Sequence, residues 1–379
     1  MNKNVYFDNA ATGYPKPPSV KSAVLLALEE YGGNPGRGGH SYSIKTAEKV
    51  YSARCVLADF FCAEPENVVF TQNCTHALNL AIKGIVKKGD SIVISSMEHN
   101  SVARPCFTLG QEGIDVSIAN VGKCDEETVQ NFKKCITPKT KCVVVTAASN
   151  VTGRVMPIKE IAQITQKMGI CLIVDAAQAA GVIPVTLNMG ANIICAPGHK
   201  GLCGPTGTGV LVTDGKFSLK TIIEGGTGAT SLELTQTDFM PEHLESGTLN
   251  TVGVCGLEAG INYITMMGLE NIYHHENTLC DIFLDGLKST DGIITYRTGE
   301  HFVPLVSFNL KGTPAHELAT ALSYEGFALR GGLHCAPLAH KTIGTLPEGT
   351  VRFSPGVFNS QKDTVNLVNT LKKFAKSGI

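Results

Sequence analysis

The sequence predicts an α/β protein with a mostly parallel sheet of seven strands in a large domain, joined to a smaller α+β domain. Between residues 67 and 212, short runs rich in Val and Ile alternate with amphipathic helical segments. Apolar strands separated by helices are typical of parallel sheets that are covered on both faces. The length of 379 residues favours two domains over one.

The elements follow in chain order. The predicted strands of the sheet are residues 67–71, 91–95, 115–120, 142–147, 170–174, 193–196 and 209–212, and amphipathic helices are predicted at 75–86, 126–135 and 157–168. After about residue 250 two long helical patterns, 254–267 and 269–287, lead into an α+β segment with a final helix near 363–376. We therefore predict a large domain over residues 15–255 and a small domain formed by residues 1–14 and 256–379.

Composition argues against several function classes. The formal net charge is −1, and no run of Lys and Arg resembles a nucleic-acid or membrane-binding patch. The first residues lack the apolar stretch of a signal peptide, and the most apolar window, 170–185, is too short to span a bilayer. Thirteen scattered cysteines are expected to be free thiols, which indicates a cytoplasmic protein. No Cys-x-x-Cys or His-Glu-x-x-His motif supports a metal site, so small molecules and other proteins are the expected partners.

Polar residues follow five of the predicted strands, and open α/β sheets bind ligands at the carboxyl ends of their strands. Asp175 ends a buried strand, where a carboxylate is costly unless it has a partner such as a pyridinium N–H. The alternative is that Asp175 caps a following helix. Lys200 follows another buried strand, and condensation with a carbonyl cofactor would remove its charge there. A solvated loop lysine is the ordinary alternative.

The other strand ends carry weaker signals. Thr75 is expected to cap the following helix, whose N-terminus could bind a phosphate. His99 could stack on a planar ring or simply be solvated, and Asn150 could donate to a ring oxygen or form an Asx-turn. Together these strand ends predict a site for pyridoxal 5'-phosphate (PLP). This cofactor needs a phosphate site, a residue that stacks on its ring, an acid at its pyridine nitrogen and a lysine that forms a Schiff base.

Several motifs resemble those of the cysteine desulfurases and selenocysteine lyases of the class V aminotransferase fold. They are Tyr6-Phe7-Asp8-Asn9-Ala10-Ala11-Thr12, Met97-Glu98-His99-Asn100, Val174-Asp175-Ala176-Ala177-Gln178, Gly198-His199-Lys200, Leu244-Glu245-Ser246-Gly247-Thr248, Arg330-Gly331-Gly332-Leu333-His334-Cys335-Ala336-Pro337-Leu338 and Val351-Arg352-Phe353-Ser354. The resemblance covers nearly the whole chain in consistent order. It implies the PLP-dependent transferase fold of type I and a homodimer with active sites at the subunit interface.

The same resemblance implies a role for each site residue. Lys200 carries PLP as a Schiff base, Asp175 faces the pyridine nitrogen, and Gln178 reaches the ring hydroxyl. His99 stacks on the ring, and Thr75 and His199 bind the phosphate together with Thr248 of the other subunit. His76 is also among the cofactor-binding residues. Arg352 clamps the substrate carboxylate, as suits a bidentate guanidinium, with Asn150 near the carboxylate and ring oxygen, and Arg37 also among the substrate-binding residues.

Cys335 matches the sulfur-accepting cysteine of the family, in the small domain. A cysteine is more often a small buried apolar residue. Here His334 and Arg330 are expected to supply positive charge that favours the nucleophilic thiolate. The expected reaction converts L-cysteine to L-alanine and leaves the sulfur on Cys335 as a persulfide for a protein acceptor. Lys200 removes the Cα proton, and His99 is a candidate proton shuttle because its free pKa is about 6.5.

Three alternatives stay open at this point. A selenocysteine lyase acting on L-selenocysteine would depend less on Cys335, an aminotransferase or epimerase of the same fold would need no reactive cysteine, and a sulfur-relay scaffold would need no catalysis. The chain also departs from the family in two places. Pro197 stands where the family usually has Ser or Thr at the phosphate, and Gly201 is an extra residue after the lysine. His340 and Lys341 have no role that the sequence assigns.

Overall fold

The computed structural model describes residues 4–36, 38–228 and 231–377. Its strands are β1 (Val5–Tyr6), β2 (Val68–Thr71), β3 (Ser91–Ser95), β4 (Asp115–Ala119), β5 (Thr140–Thr146), β6 (Cys171–Asp175), β7 (Ile193–Pro197), β8 (Gly209–Thr213), β9 (Ile293–Thr295), β10 (Val306–Leu310), β11 (Phe327–Ala328), β12 (Arg330–Gly332) and β13 (Thr350–Phe353). Its helices are α1 (Pro18–Glu30), α2 (Ser41–Phe61), α3 (Cys74–Ile85), α4 (Asn100–Gln111), α5 (Asp125–Cys135), α6 (Ile158–Lys167), α7 (Thr251–Met267), α8 (Leu269–Leu287), α9 (Ala315–Tyr324), α10 (Pro337–Thr342) and α11 (Gln361–Ser377).

Strands β2 to β8 form one seven-stranded sheet in the order β2-β8-β7-β6-β5-β3-β4. Strand β8 runs antiparallel to both β2 and β7, whereas the remaining neighbours pair in parallel. The predicted mostly parallel sheet of seven strands is confirmed, and every predicted strand overlaps an observed one. Strands β6, β7 and β8 are buried along their whole length, which explains why they appear as continuous apolar runs in the sequence.

Helices cover both faces of this sheet. Side chains of α2, α6 and α7 belong to the core on one face, and those of α3 and α4 belong to the core on the other. The helix predicted at 254–267 begins three residues earlier, at Thr251, and the one at 269–287 is α8 as predicted. In the described part of the chain, no single helix is long and apolar enough to cross a bilayer; α7 and α8 meet that test only as a pair, with an 81° bend between them.

The C-terminal part contains a second, antiparallel sheet in the order β12-β13-β10-β9. Its core is aromatic: Phe353 of β13 stacks on Phe283 of α8 with ring centroids 4.4 Å apart, and lies 4.8 Å from the ring of Phe7. Residues near the N-terminus therefore pack into the C-terminal core, and β1 pairs in parallel with β11. The domain boundaries at residues 14 and 255 stay a prediction.

Strand direction brings the functional segments together. Strands β2, β3, β5, β6 and β7 share one direction, so their carboxyl ends lie at the same edge of the sheet. Thr146, Asp175 and Cys195 are directly paired neighbours across β5, β6 and β7. The segments that follow these strands therefore converge, and they contain most of the site residues predicted from the sequence.

Candidate active site

A cavity of about 570 Å³ lies at this edge of the sheet. Seven of the predicted site residues line it: Thr75, His99, Asn150, Asp175, Gln178, His199 and Lys200. The strand-end residues that the sequence singled out thus share one site.

The Lys200 amine occupies an environment that favours its neutral form. Burial is the largest cause that lowers the pKa of Lys200, and the positive charge of Arg352 lowers it further. The Asp175 carboxylate acts in the opposite direction. The backbone before it is fixed because the His199 carbonyl accepts hydrogen bonds from Gly13 N–H at 2.9 Å and from Lys16 Nζ at 2.7 Å. A neutral amine is the nucleophilic and proton-accepting form, so this position suits covalent attachment of a carbonyl compound.

Asp175 is a buried carboxyl with an incomplete set of partners. Its side chain is 1% exposed, and its Oδ1 accepts hydrogen bonds from Ala177 N–H at 2.9 Å and from the Cys74 thiol at 3.5 Å. Within the described residues its Oδ2 accepts none. Burial raises the pKa of Asp175, so the ionised form needs a cationic partner. A pyridinium N–H in the cavity fits that need. The alternative, that Asp175 caps a helix, is supported only by the hydrogen bond from Ala177 N–H, which lies in a turn.

Gln178 also lines the cavity, but its amide is already engaged. Its Nε2 donates to the Ala10 carbonyl at 3.0 Å, which ties this wall of the cavity to the N-terminal residues. A contact between Gln178 and a ring hydroxyl stays a prediction.

His99 is the N-cap of α4. Its Nδ1 accepts a hydrogen bond from Ser101 N–H at 3.0 Å, so a neutral ring carries its proton on Nε2. Burial, and then the positive charge of Lys200, lower the pKa of His99 to about 4. The expectation that its pKa stays near the free value is therefore wrong. A neutral ring suits stacking on a planar cofactor, and the shuttle role stays a prediction with Nε2 as the relevant atom.

The N-terminus of α3 lines one end of the cavity. The expected cap at Thr75 is wrong: the helix begins at Cys74, and the Asn73 side chain caps it by accepting from His76 N–H at 2.9 Å. The backbone N–H groups of Cys74 and Thr75 make no hydrogen bond within the described residues. Free N–H groups at a helix start favour an anion, so a phosphate at this position stays a prediction although the cap differs.

Neither Cys335 nor Arg352 lines this cavity, and two other predicted residues, His76 and Thr248, line a different one. The side chain of His76 lines a neighbouring cavity instead, because its Nδ1 accepts from Gln72 N–H at 3.3 Å. Thr248 is exposed and lines the same neighbouring cavity. Its contribution to the site of another subunit stays a prediction. Arg37 lies outside the described residues.

The two departures from the family pattern have structural counterparts. Pro197 ends β7 and lines the cavity, where it offers no hydroxyl to a phosphate. His199 is nearby, with its Nδ1 3.1 Å from Thr12 Oγ1. Gly201 cannot carry a side chain, since a Cβ there would lie 2.4 Å from the Ala180 carbonyl oxygen. The extra residue is therefore accommodated because it is glycine.

Two hydrogen bonds tie the Cys335 loop to the wall of the cavity. Asn100, the residue after His99, donates its N–H to the Cys335 carbonyl at 2.8 Å. Asn150 donates its Nδ2 to the His334 carbonyl, also at 2.8 Å. His334 and Cys335 both have positive φ, 48° and 56°, which is uncommon for residues other than glycine. These two hydrogen bonds hold the loop against the cavity, and Cys335 is exposed.

The positive charge beside Cys335 comes from Arg330. Its Nη2 lies 3.6 Å from Cys335 Sγ. The expected charge on His334 is wrong: burial lowers the pKa of this histidine well below its usual value, and its Nε2 lies 2.9 Å from the Thr350 carbonyl oxygen, to which it donates. His334 is therefore a neutral support of the loop. The adjacent His340 is also buried and neutral, because burial lowers its pKa to about 4.

Arg330 and Arg352 are direct cross-strand partners on β12 and β13. Like charges in that position are destabilising unless anions compensate them. Asp8 compensates the charge of Arg352, because its Oδ1 accepts a hydrogen bond from Arg352 Nη2 at 2.8 Å. Arg352 Nη1 donates to the Asn150 carbonyl at 3.1 Å. Arg352 Nε has no hydrogen-bond partner among the described residues. The carboxylate clamp predicted at Arg352 stays a prediction; the structure places Arg330 opposite Arg352 and the Asp8 carboxylate on one of its nitrogens.

Asn150→Ala is expected to lower the turnover of sulfur transfer about tenfold, because the His334 carbonyl would lose its donor and the Cys335 loop would gain freedom. The visible absorbance of bound cofactor is expected to persist. Asn131→Ala is a matched control, since Asn131 Nδ2 also donates to a carbonyl, that of Asn120, at 2.9 Å. Equal turnover of the two variants would contradict the role of this bond.

Glu98→Gln is expected to remove a pH dependence of folding stability. Glu98 is fully buried, its Oε1 accepts from Thr146 N–H at 2.9 Å, and burial raises its pKa to about 8. In an unfolded chain its pKa is about 4.3, so its stabilising contribution is complete below that value and is lost as pH rises towards 8. Urea unfolding at pH 6 and pH 9 should show wild type losing stability relative to the variant. Parallel changes would exclude this assignment.

Comparisons with known proteins agree with this geometry. The family model for class-V aminotransferases matches residues 5–367. A probable cysteine desulfurase of Methanothermobacter thermautotrophicus is 34% identical over 100% of this chain and 96% of its own length. The solved apo structure of a cysteine desulfurase from Thermococcus onnurineus superimposes with a TM-score of 0.91 and 32% identity, covering 98% of this chain and 95% of that one. An Escherichia coli cysteine desulfurase in an S-sulfonic acid form gives a TM-score of 0.89 at 25% identity, with 98% and 95% covered. The chain therefore belongs to the class-V aminotransferase family, in its cysteine desulfurase group.

Proposed function

We propose that this protein is a PLP-dependent cysteine desulfurase that converts L-cysteine to L-alanine and receives the sulfur on Cys335. One observation carries the proposal. The Cys335 carbonyl is hydrogen-bonded to Asn100 N–H, which places the exposed thiol on a loop adjoining the cavity of Lys200 and Asp175. The reactions of an aminotransferase or an epimerase do not require a thiol at this position.

The residues of the cavity fit PLP. The Oδ2 atom of Asp175 can pair with a pyridinium N–H, the neutral His99 ring can cover a planar ring, and the free N–H groups at the start of α3 can bind a phosphate. Lys200 supplies the amine for covalent attachment. When bound, PLP supplies an electron sink for the carbon that bears the substrate amine.

The chain's own side chains account for the remaining steps. Arg352 Nε and the Arg330 guanidinium can bind the substrate carboxylate. The Lys200 amine, whose pKa is lowered by burial, can accept the Cα proton in its unprotonated form, and Nε2 of His99 holds a proton beside the same cavity. Cys335 Sγ attacks the substrate sulfur, the C–S bond breaks with its electrons on carbon, and that carbon is protonated as alanine forms. The sum is L-cysteine plus enzyme thiol giving L-alanine plus enzyme persulfide.

The proposed setting includes a protein sulfur acceptor, a homodimer and the cytoplasm. Exposed Thr248, on a cavity beside the active site, supports a contribution from a second subunit. The thirteen free cysteines support a reducing compartment. L-Selenocysteine is an alternative substrate of the same site.

Mass spectrometry after a short incubation with L-cysteine tests the proposal. The peptide containing Cys335 is expected to gain one sulfur atom, which a reductant removes. The peptide containing Cys62 serves as an internal control, because Cys62 is also exposed and also has φ of 56°. Sulfur on Cys62 at an equal level, or no sulfur on Cys335 while alanine forms, would refute transfer to Cys335.

A further inference from the structure

Lys200 also lines a second cavity. Its empty volume is about 740 Å³, and it is bounded by the N-terminal residues, the loop after Lys200 and helix α8. Gln178 and Lys200 line both this cavity and the active site, so the two spaces share a wall. Neither Asp175 nor His99 lines the second cavity, which separates it from the chemistry proposed above.

Glu276 of α8 points an unpaired carboxyl into this second cavity. Its side chain is only 8% exposed, and within the described residues it makes no hydrogen bond or ion pair. Burial alone raises the pKa of Glu276 to about 8. A buried carboxyl without a partner is costly, and buried polar groups of native proteins almost always have one. Glu276 is therefore poised for a hydrogen-bond donor or a cation that enters the cavity.

Lys16 brings an opposite charge to the same cavity. Its Nζ donates to the His199 carbonyl at 2.7 Å, and an ammonium has three donors, so two are left. Cys203 lies near both charged groups, because Lys16 lowers its pKa and Glu276 raises it, although burial outweighs both and brings the pKa to about 12. The cavity thus has an acidic side and a basic side.

The rest of the wall is largely apolar. Ile272 lies one helical turn before Glu276 on α8, and Val182, Val303 and Leu305 also line the space. A ligand that fits this distribution has a cationic group, an anionic group and a small apolar body. Simple amines and simple carboxylates each satisfy only one of the two charged sides.

We propose that the second cavity binds a small zwitterionic α-amino acid, with its ammonium on Glu276 and its carboxylate on Lys16. The site is regulatory rather than chemical, since the only active-site residues that line it are those of the shared wall, Ala177, Gln178 and Lys200. Lys16 also holds the His199 carbonyl next to Lys200. Occupancy is therefore transmitted to the cofactor lysine through the backbone that the two cavities share.

The test uses holoenzyme reduced with borohydride, so that the cofactor is fixed to Lys200 and the active-site amine cannot exchange with added amino acids. L-Alanine is titrated by calorimetry, and the cofactor absorbance is recorded in parallel. One binding event per chain is expected, with a small shift of the absorbance. L-Cysteine in a second titration identifies the source, because tighter binding of cysteine points to substrate and tighter binding of alanine points to product.

Two variants locate the bound molecule. Glu276→Gln keeps the size of the side chain and is expected to weaken alanine binding at least about tenfold. Arg352→Lys disturbs carboxylate binding in the active site and is expected to leave the titration unchanged. Lys16→Gln provides a second test on the opposite wall if Glu276→Gln fails to fold, and a similar weakening is expected. Propionate and propylamine, which each lack one charge, are expected to bind at least about tenfold more weakly than alanine.

Several outcomes would overturn the proposal. The first is the absence of alanine binding in reduced holoenzyme, and the second is equal binding in wild type and in both cavity variants. The third is loss of binding in Arg352→Lys alone, which would place the molecule in the active site. The titration does not depend on sulfur transfer, so it can fail while the desulfurase proposal stands, and the reverse also holds.

Discussion

Replacement of Cys335 by Ala is expected to lower kcat/KM for L-cysteine on the order of 10³-fold or more, because the variant lacks the nucleophile that attacks the substrate sulfur. The fold and the cofactor site should persist, since the contacts of this residue with the cavity wall are made by its backbone. Alanine formation in the presence of a reductant measures the loss, and visible absorbance measures bound cofactor. A drop in activity without a drop in absorbance is the expected pattern.

Cys62→Ala is the matched control for this experiment. Cys62 and Cys335 are the two exposed cysteines of the chain, and both have φ of 56°. The Cys62 variant is expected to keep full activity, because this residue is the C-cap of α2, whereas Cys335 is hydrogen-bonded to Asn100, the residue after His99 of the cavity. Activity retained on L-selenocysteine but lost on L-cysteine in Cys335→Ala would indicate competence for both substrates. Full activity of Cys335→Ala on L-cysteine would contradict the proposed mechanism.

The sequence was sufficient to predict the sheet and the centre of the site. Buried parallel strands need apolar side chains on both faces, so most strands are visible as runs rich in Val and Ile, whereas the edge strand β4 is partly exposed and less apolar. Asp175 and Lys200 stood out because charged residues directly after such runs are costly without a partner. The shared direction of the strands then brought both residues to one cavity. These predictions needed only local patterns and one topological rule.

The ionisation states and the contacts between distant segments could not be predicted in the same way. Arg352 and Asp8 are 344 residues apart, and no spacing in the sequence indicates that they form an ion pair. The charge expected on His334 failed for a related reason, since its burial depends on the packing of the small domain around the loop. His340 likewise gained an explanation only from the structure, as a buried ring that packs beside His334 at 5.7 Å between centroids.

Removal of the Lys200 amine is expected to have the largest effect on activity. In Lys200→Ala, borohydride should trap no cofactor on the protein, and alanine formation should fall on the order of 10⁴-fold, because both the attachment point and the acceptor of the Cα proton are lost. Lys200→Arg should fail equally, since a guanidinium keeps its positive charge and provides no neutral amine. This pair of variants distinguishes the chemistry of the amine from the presence of a charge.

Lys341→Ala is the control for the lysine variants, because Lys341 follows the cysteine loop but is exposed. It is expected to retain the trapped cofactor and full turnover. The measurement is the mass of the peptide containing Lys200 after reduction, together with the rate of alanine release. Cofactor trapped on another lysine in Lys200→Ala, with activity retained, would contradict the assignment. The lowered pKa of Lys200 explains this expectation, because burial and the positive charge of Arg352 both favour the free amine.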